Sequence, residues 1–260
     1  MRLALVSLAL FAAVGASAQS VLLRYQPPVG KTVSYTMTNA MSMTSPMSPG
    51  KPMAFTQTIP MTVRVVSKSA AGTTVETKTG PTKMNAPAGS PMAGMANNPA
   101  MNKVNVVRMT IDPFGTPKGA TGAGPAAAMA NSMGSVMGGG SQGVFFPAKP
   151  VKVGDTWTSA MDLGKMAPAG AAGMKMNGKI PIVYRLTALK GGVATVAMTA
   201  KGTMSMAFGN KPMQIAMDIR STILLDAATG LTKSMSSVTD STTTLPGMGA
   251  MRQHMASTMR

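Results

Sequence analysis

The sequence predicts an all-β or β-dominated α+β protein. Its long antiparallel strands form a curved sheet, half-barrel or sandwich built from two related halves, with one short helix in the insert between them. Two observations carry this expectation. Apolar residues recur every second position over long stretches, and a set of turn and strand landmarks appears twice in the same order.

The alternation is read directly from three segments. Val33, Tyr35, Met37, Asn39, Met41 and Met43 share one face, with Thr32, Ser34, Thr36, Thr38, Ala40 and Ser42 on the other. Val196, Met198, Met204, Met206 and Phe208 alternate with Thr195, Thr199, Lys201, Thr203 and Ser205. Met213, Ile215, Met217, Ile219, Ile223 and Leu225 stand opposite Gln214, Asp218, Arg220 and Asp226. Successive strand side chains point to opposite faces, so a period of two marks sheet with one packed and one wet side.

The repetition has three landmarks. Pro28 to Tyr35 parallels Lys152 to Trp157 through a shared Val-Gly turn, and Ile59 to Val65 parallels Ile180 to Leu186. Met109 to Gly115 parallels Ile223 to Gly230, each a strand ending in an Asp-led turn whose carboxylate can hold local backbone N–H groups. These place a first β-rich half at 19–118 and a second at 144–245.

Around the halves, residues 1–18 read as a signal peptide. Arg2 supplies the charge, Leu3 to Val14 the apolar run, and Ala16-Ser17-Ala18 the cleavage site. The expected address is periplasmic or secreted, with no transmembrane segment in the mature chain. The insert at 119–143 is rich in Gly, Ala and Met. Pro125 suits a first helical position and Gly138-Gly139-Gly140 ends a helix reaching Met137. Residues 81–99 read as a long loop, and residues 246–260 as a flexible tail.

Composition removes several function classes. There is no cysteine and one histidine, which excludes thiolate and multi-histidine metal sites and cysteine nucleophiles. Seven acidic residues leave little for carboxylate pairs. Gly173 to Lys179 imitates a phosphate-binding loop, but Ile180 replaces the magnesium-binding hydroxyl and Pro181 blocks the helix that must follow. Ser48 to Lys51 and Lys78 to Gly80 imitate motifs of penicillin-binding enzymes, yet Pro49-Gly50 forbids the helix that aligns a Ser–Lys pair. No catalytic residue is expected, and the protein reads as a non-enzyme.

A net charge of +17 points to lipid or anionic envelope components as partners. With one Trp, three Tyr and six Phe there is no stacking platform for bases, so nucleic acid is not expected. The same scarcity argues against an outer-membrane barrel with aromatic girdles.

Methionine is the compositional anomaly: it occurs 29 times, whereas leucine occurs nine times after residue 18. A flexible, polarizable thioether lining suits a cavity for a hydrophobic or lipid-like ligand. The expected lining residues are Met37, Met41, Met198, Met204, Met206, Met213, Met217 and Trp157. An alternative is Cu(I), which soft thioethers select. Its expected ligands are Met248, Met251, His254 and Met255, the group that contains the lone histidine. A third alternative is a structural component of the envelope.

The Val-Gly-Asp-Thr-Trp run at 153–157 and the Asp-led turn at Asp226 resemble those of uncharacterised exported β-rich bacterial proteins. In strand pattern the chain is also similar to lipoprotein-carrier half-barrels of the LolA and LppX type, although it lacks the lipobox cysteine of LppX. That resemblance implies a half-barrel that carries a lipid on its apolar face.

Overall fold

The computed structural model describes residues 20–44, 46, 52–87, 103–121, 144–162, 174–208, 211–245 and 249–260. The signal segment 1–18, the helix expected within Pro125 to Met137, and Met248 lie outside the described residues.

Among the described residues the fold is all-β. Thirteen strands form one antiparallel sheet: β1 Thr32–Thr44, β2 Met53–Ser69, β3 Gly72–Thr79, β4 Lys83–Asn85, β5 Asn105–Ile111, β6 Pro117–Thr121, β7 Thr156–Asp162, β8 Met174–Asn177, β9 Lys179–Lys190, β10 Val193–Phe208, β11 Lys211–Asp226, β12 Thr232–Leu245 and β13 Gly249–Met259. The strand order is β6-β5-β3-β2-β1-β13-β12-β11-β10-β9-β7, with β4 on β2 and β8 on β10. Met174 to Asn177 and Lys179 of the phosphate-loop imitation thus lie in β8 and β9, and the expected loop at 81–99 contains β4.

On either side of β13 the path runs through two five-stranded meanders, β1-β2-β3-β5-β6 and β7-β9-β10-β11-β12. Their matching turns make matching hydrogen bonds. Gly30 N–H donates to Val65 O and Gly154 N–H to Leu186 O, the last residues of the paired Ile-Pro segments. Both glycines have positive φ, which a side chain resists. Asp112 accepts from the N–H groups of Phe114 and Thr116, and Asp226 accepts from the N–H and hydroxyl of Thr229.

One expectation is corrected. Residues 249–259 are not a loose tail but β13, paired along its length with β12 and through Arg252–Met259 with β1, so that it joins the two meanders. Met251, Met255 and Met259 recur every fourth residue, with Gln253 and Ser257 between them, so the apolar alternation is broken at every second inward position. The strand is visible only when the polar members are counted on the same face.

The sheet curls until its ends approach. Phe146 N–H donates to Phe114 O in the turn after β5, while the Trp157 indole on β7 donates to Phe145 O. Adjacent residues therefore touch opposite ends of an eleven-strand path that would span ~48 Å if flat. Among the described residues β6 and β7 do not pair with each other, so the curl is not closed.

One end of the curl is shut by two extended segments, 21–26 and 144–151. They meet at Val21 and Val151, and Tyr25 and Gln26 donate backbone N–H groups to Pro113 O and Thr229 O beside the two Asp-led turns. Leu23, Tyr25, Val144 and Phe146 from these segments join Val65, Val75, Ile111, Ile180, Tyr184, Leu186, Ile223 and Leu225 in one buried core. Below the end of β13, Tyr35 reaches from β1 to donate its hydroxyl to Thr232 O on β12, at 2.7 Å. Burial pushes the Tyr35 phenol up to about 12.

Two outcomes follow from this architecture. Deleting residues 249–260 should abolish the cooperative urea transition and the sheet signal in circular dichroism, because a central strand is lost; a tail would be dispensable. Gly230 has φ +70 and a Cβ there would stand 2.3 Å from Arg24 O, whereas Gly191 at φ +57 faces open space. Gly230→Ala should therefore cost ~3 kcal/mol or more and Gly191→Ala ~1 kcal/mol in urea melts.

Candidate functional site

Cross-strand register sorts the inward residues of the five central strands into rows. The row Ile59, Met37, Met259, Met235 and Ile223 runs from β2 through β1, β13 and β12 to β11. The next row toward the open end is Gln57, Asn39, Ser257, Ser237 and Ser221. Beyond it come Phe55, Met41, Met255, Thr239 and Ile219, then Met53, Met43, Gln253, Ser241 and Met217.

The inner face therefore changes character along the strands. Toward the shut end, side chains from all walls interlock in the core. Toward the open end of β1, β2 and β13, Met41, Met43, Met53, Met251 and Met255 are half-buried and lie outside the core cluster. Phe55, directly across from Met41, is buried. Met41 stands directly across from Met255, and Met43 across from Met53. The Gln253 amide donates to the Met41 thioether at 3.1 Å. This methionine-lined mouth is the candidate site.

The expected lining residues divide between mouth and core. Met41 is in the mouth. Met204 is buried in the core, and Met198 and Met217 pack against it. Met37 is half-buried on β1 opposite Met259, and Met213 is half-buried on β11. Met206 pairs with Met213 across β10 and β11, and its side chain lies outside the described residues. Trp157 stacks on Tyr184, with centroids 5.5 Å apart, and packs against the core. Sequence reading missed Met43, Met53 and Phe55 as a group because they lie on two different strands whose register alone brings them together.

Of the expected copper ligands, Met251 and Met255 point inward. His254, between them on an extended strand, projects from the outer face. Its Nδ1 lies 2.7 Å from the Asp240 carboxylate. Met251 and Met255 thus lie on the opposite face of β13 from His254, and Met248 lies outside the described residues.

The outer face at the same level carries a shallow open depression of about 730 Å³. Lys201, Asp218, Asp240, His254 and Ser42 form one row across β10, β11, β12, β13 and β1. Arg220 bridges Asp218 and Asp240, at 3.3 and 3.1 Å. Ser42, His254 and Asp240 thus stand side by side in the order of a nucleophile, base and orienting acid. No hydrogen bond joins Ser42 to His254, and the base is more than half exposed. The backbone N–H groups of these neighbouring strands lie in the hydrogen-bonded ladders of the sheet. The row is a charge-compensated sheet surface.

Residues 128–232 match a family described as "Family of unknown function (DUF6263)", a span that includes β7 to β11. Among solved structures the chain is similar to OmpF of Salmonella typhi in complex with daunomycin, at 8% identity and TM-score 0.35, covering 89% of this chain and 98% of that one. It is also similar to DynF from the dynemicin biosynthesis pathway of Micromonospora chersina, at 10% identity and TM-score 0.27, covering 94% and 85%. A triple mutant of the Rhodopseudomonas blastica porin gives 9% identity and TM-score 0.31, covering 88% and 100%. No curated protein matches the chain.

The outer row yields a pH prediction. The hydrogen bond from His254, with the charges of His254 and Arg220, holds the Asp240 carboxyl below its ordinary value. A depressed folded value stabilises the fold above the unfolded carboxylate range near ~4, and that contribution is lost as pH falls through the lower folded value. His254→Ala should move the Asp240 titration, followed by carboxyl carbon NMR, upward toward ordinary aspartate. An unchanged titration would mean that the pair does not form in solution.

Proposed function

We propose that this chain is an exported, non-catalytic binding protein that holds a hydrophobic, lipid-like molecule at the methionine-lined mouth of its curled sheet. The observation that carries this reading is the set of half-buried thioethers outside the core: Met41, Met43, Met53, Met251 and Met255. A stable sheet needs its inner face covered, and here the residues at one end are apolar yet incompletely covered. Unbranched thioethers adapt their shape to irregular partners at little cost. In kind this matches the half-barrel lipid carriers that the strand pattern resembles.

The remaining parts of the reading are consistent with it. A signal peptide cleaved after Ala18 would deliver the protein to the periplasm or exterior, where lipid-like molecules need shielding from water. The basic surface would favour approach to anionic envelope components. A second reading keeps Cu(I) as the ligand. It is favoured by the facing pairs Met41–Met255 and Met43–Met53, which would supply an all-thioether set without His254.

Fluorescence of the apolar dye N-phenyl-1-naphthylamine should rise on binding the mature protein. Met43→Lys and Met255→Asp, which put a charge on the apolar lining, should each weaken binding about tenfold or more while the circular dichroism spectrum is retained. Dye binding that ignores both changes, or no dye binding together with no apolar species in lipid extracts of the exported protein, would overturn the reading. Tight Cu(I) retention against a chelator, lost in Met41→Leu, would favour the second reading instead.

A further inference from the structure

The floor of the methionine-lined mouth is polar. Gln57, Asn39, Ser257, Ser237 and Ser221 form an unbroken inward row across five neighbouring strands, with an apolar row on its core side and a row interrupted only by Thr239 on its mouth side. Polar side chains placed inside a sheet normally pair with one another or with water. Ser221 does so, donating to the Ser237 hydroxyl at 2.8 Å. Ser257 does not: the residue is 4% exposed, and its hydroxyl oxygen is buried without a hydrogen-bond partner.

A hydroxyl that has left water without gaining a partner is destabilising where it stands. Here it lies at the boundary between filled core and thioether mouth, flanked along β13 by Met255 toward the mouth and Met259 in the core. The Met255 side chain and its cross-strand neighbour Met41 are unbranched and half-buried, so they can move aside where branched residues could not. The row also has a definite chemistry. Three hydroxyls and two carboxamides offer both donors and acceptors, and none of the five carries a charge. Among the described residues a carboxylate or phosphate would find no cation on this floor, since the charged residues of these strands at this level project from the opposite face.

We propose that the ligand at the mouth carries a neutral hydrogen-bonding head, a hydroxyl or carbonyl, that seats against Ser257 and its row while the apolar body lies along Met41, Met43, Met53 and Met255. This deepens the apolar-ligand reading and rests on it. The ligand class is therefore a long-chain alcohol, a sterol-like alcohol or a quinone-like carbonyl compound, rather than a fatty acid or phospholipid headgroup.

The test is displacement of N-phenyl-1-naphthylamine from the mature protein by three probes of equal chain length: 1-decanol, decanoate and 1-chlorodecane. One additional net hydrogen bond corresponds to roughly a fivefold change in affinity. Decanol should displace the dye at about fivefold lower concentration than either other probe. Ser257→Ala should bring decanol level with chlorodecane while leaving dye binding intact, and Ser257→Thr, which restores the hydroxyl, should recover part of the preference. Decanoate as the strongest competitor, equal displacement by all three in the wild type, or a decanol preference that survives Ser257→Ala would overturn the proposal while leaving the apolar site standing. Failure of the dye itself to bind, together with no apolar species in lipid extracts of the exported protein, would overturn both.

Discussion

The structure depends on one strand pairing. β13 is made from the last residues of the chain, yet it stands between β1 and β12 and supplies the only sheet contact between the two meanders among the described residues. Its register with β1, Met41 to Met255 and Asn39 to Ser257, aligns the rows of one half with those of the other. A slip of one residue would turn Met255 and Met259 to water and bring His254 inward. The curl, the polar row and the thioether mouth are all consequences of that register.

The second constraint acts at the shut end. Two extended segments, neither part of a named strand, tie the Asp-led turns together through backbone hydrogen bonds and place Leu23, Tyr25, Val144 and Phe146 in the core. Arg24 supports this strap, with its guanidinium over the Phe114 ring at 4.6 Å and hydrogen bonds to the Pro147 and Ala148 carbonyls. The strap thereby links the turn after β5 to the turn between β11 and β12. The polarity of the site follows: with one end filled, access to the inner face is left to the other.

Much of this was legible in the sequence, because the alternation at 33–43, 196–208 and 213–225 fixes which residues face inward, and the paired Val-Gly and Asp-led turns mark the two meanders. What stayed hidden depends on register between distant segments. Asp240 and His254 are fourteen residues apart and Ser42 is far from both, so their common row has no local signature. Ser257 among Met255 and Met259 reads as an interruption of a pattern, although it is one member of a polar row supplied by five strands. The four-residue spacing of Met251, Met255 and Met259 fits a helix or an alternate-position strand equally well, and only pairing with β1 and β12 decides between them.

The methionine excess itself separates into two uses once the rows are known. The fully enclosed core is built largely from Leu23, Leu186, Leu225 and β-branched or aromatic residues such as Val65, Val75, Ile111, Ile180, Ile223, Tyr25 and Tyr184. Methionine is a minority there, with Met109, Met204 and Met259 buried. At the mouth the proportion reverses, and Met41, Met43, Met53, Met251 and Met255 dominate the inner face. Branched side chains have few rotamers and specify one packing, while a thioether chain has three rotatable bonds and tolerates several. A sheet that needed only to bury its inner face would gain nothing from that difference between its two ends. A sheet that must hold its shape at one end and accommodate a variable surface at the other would use the two residue types in this division.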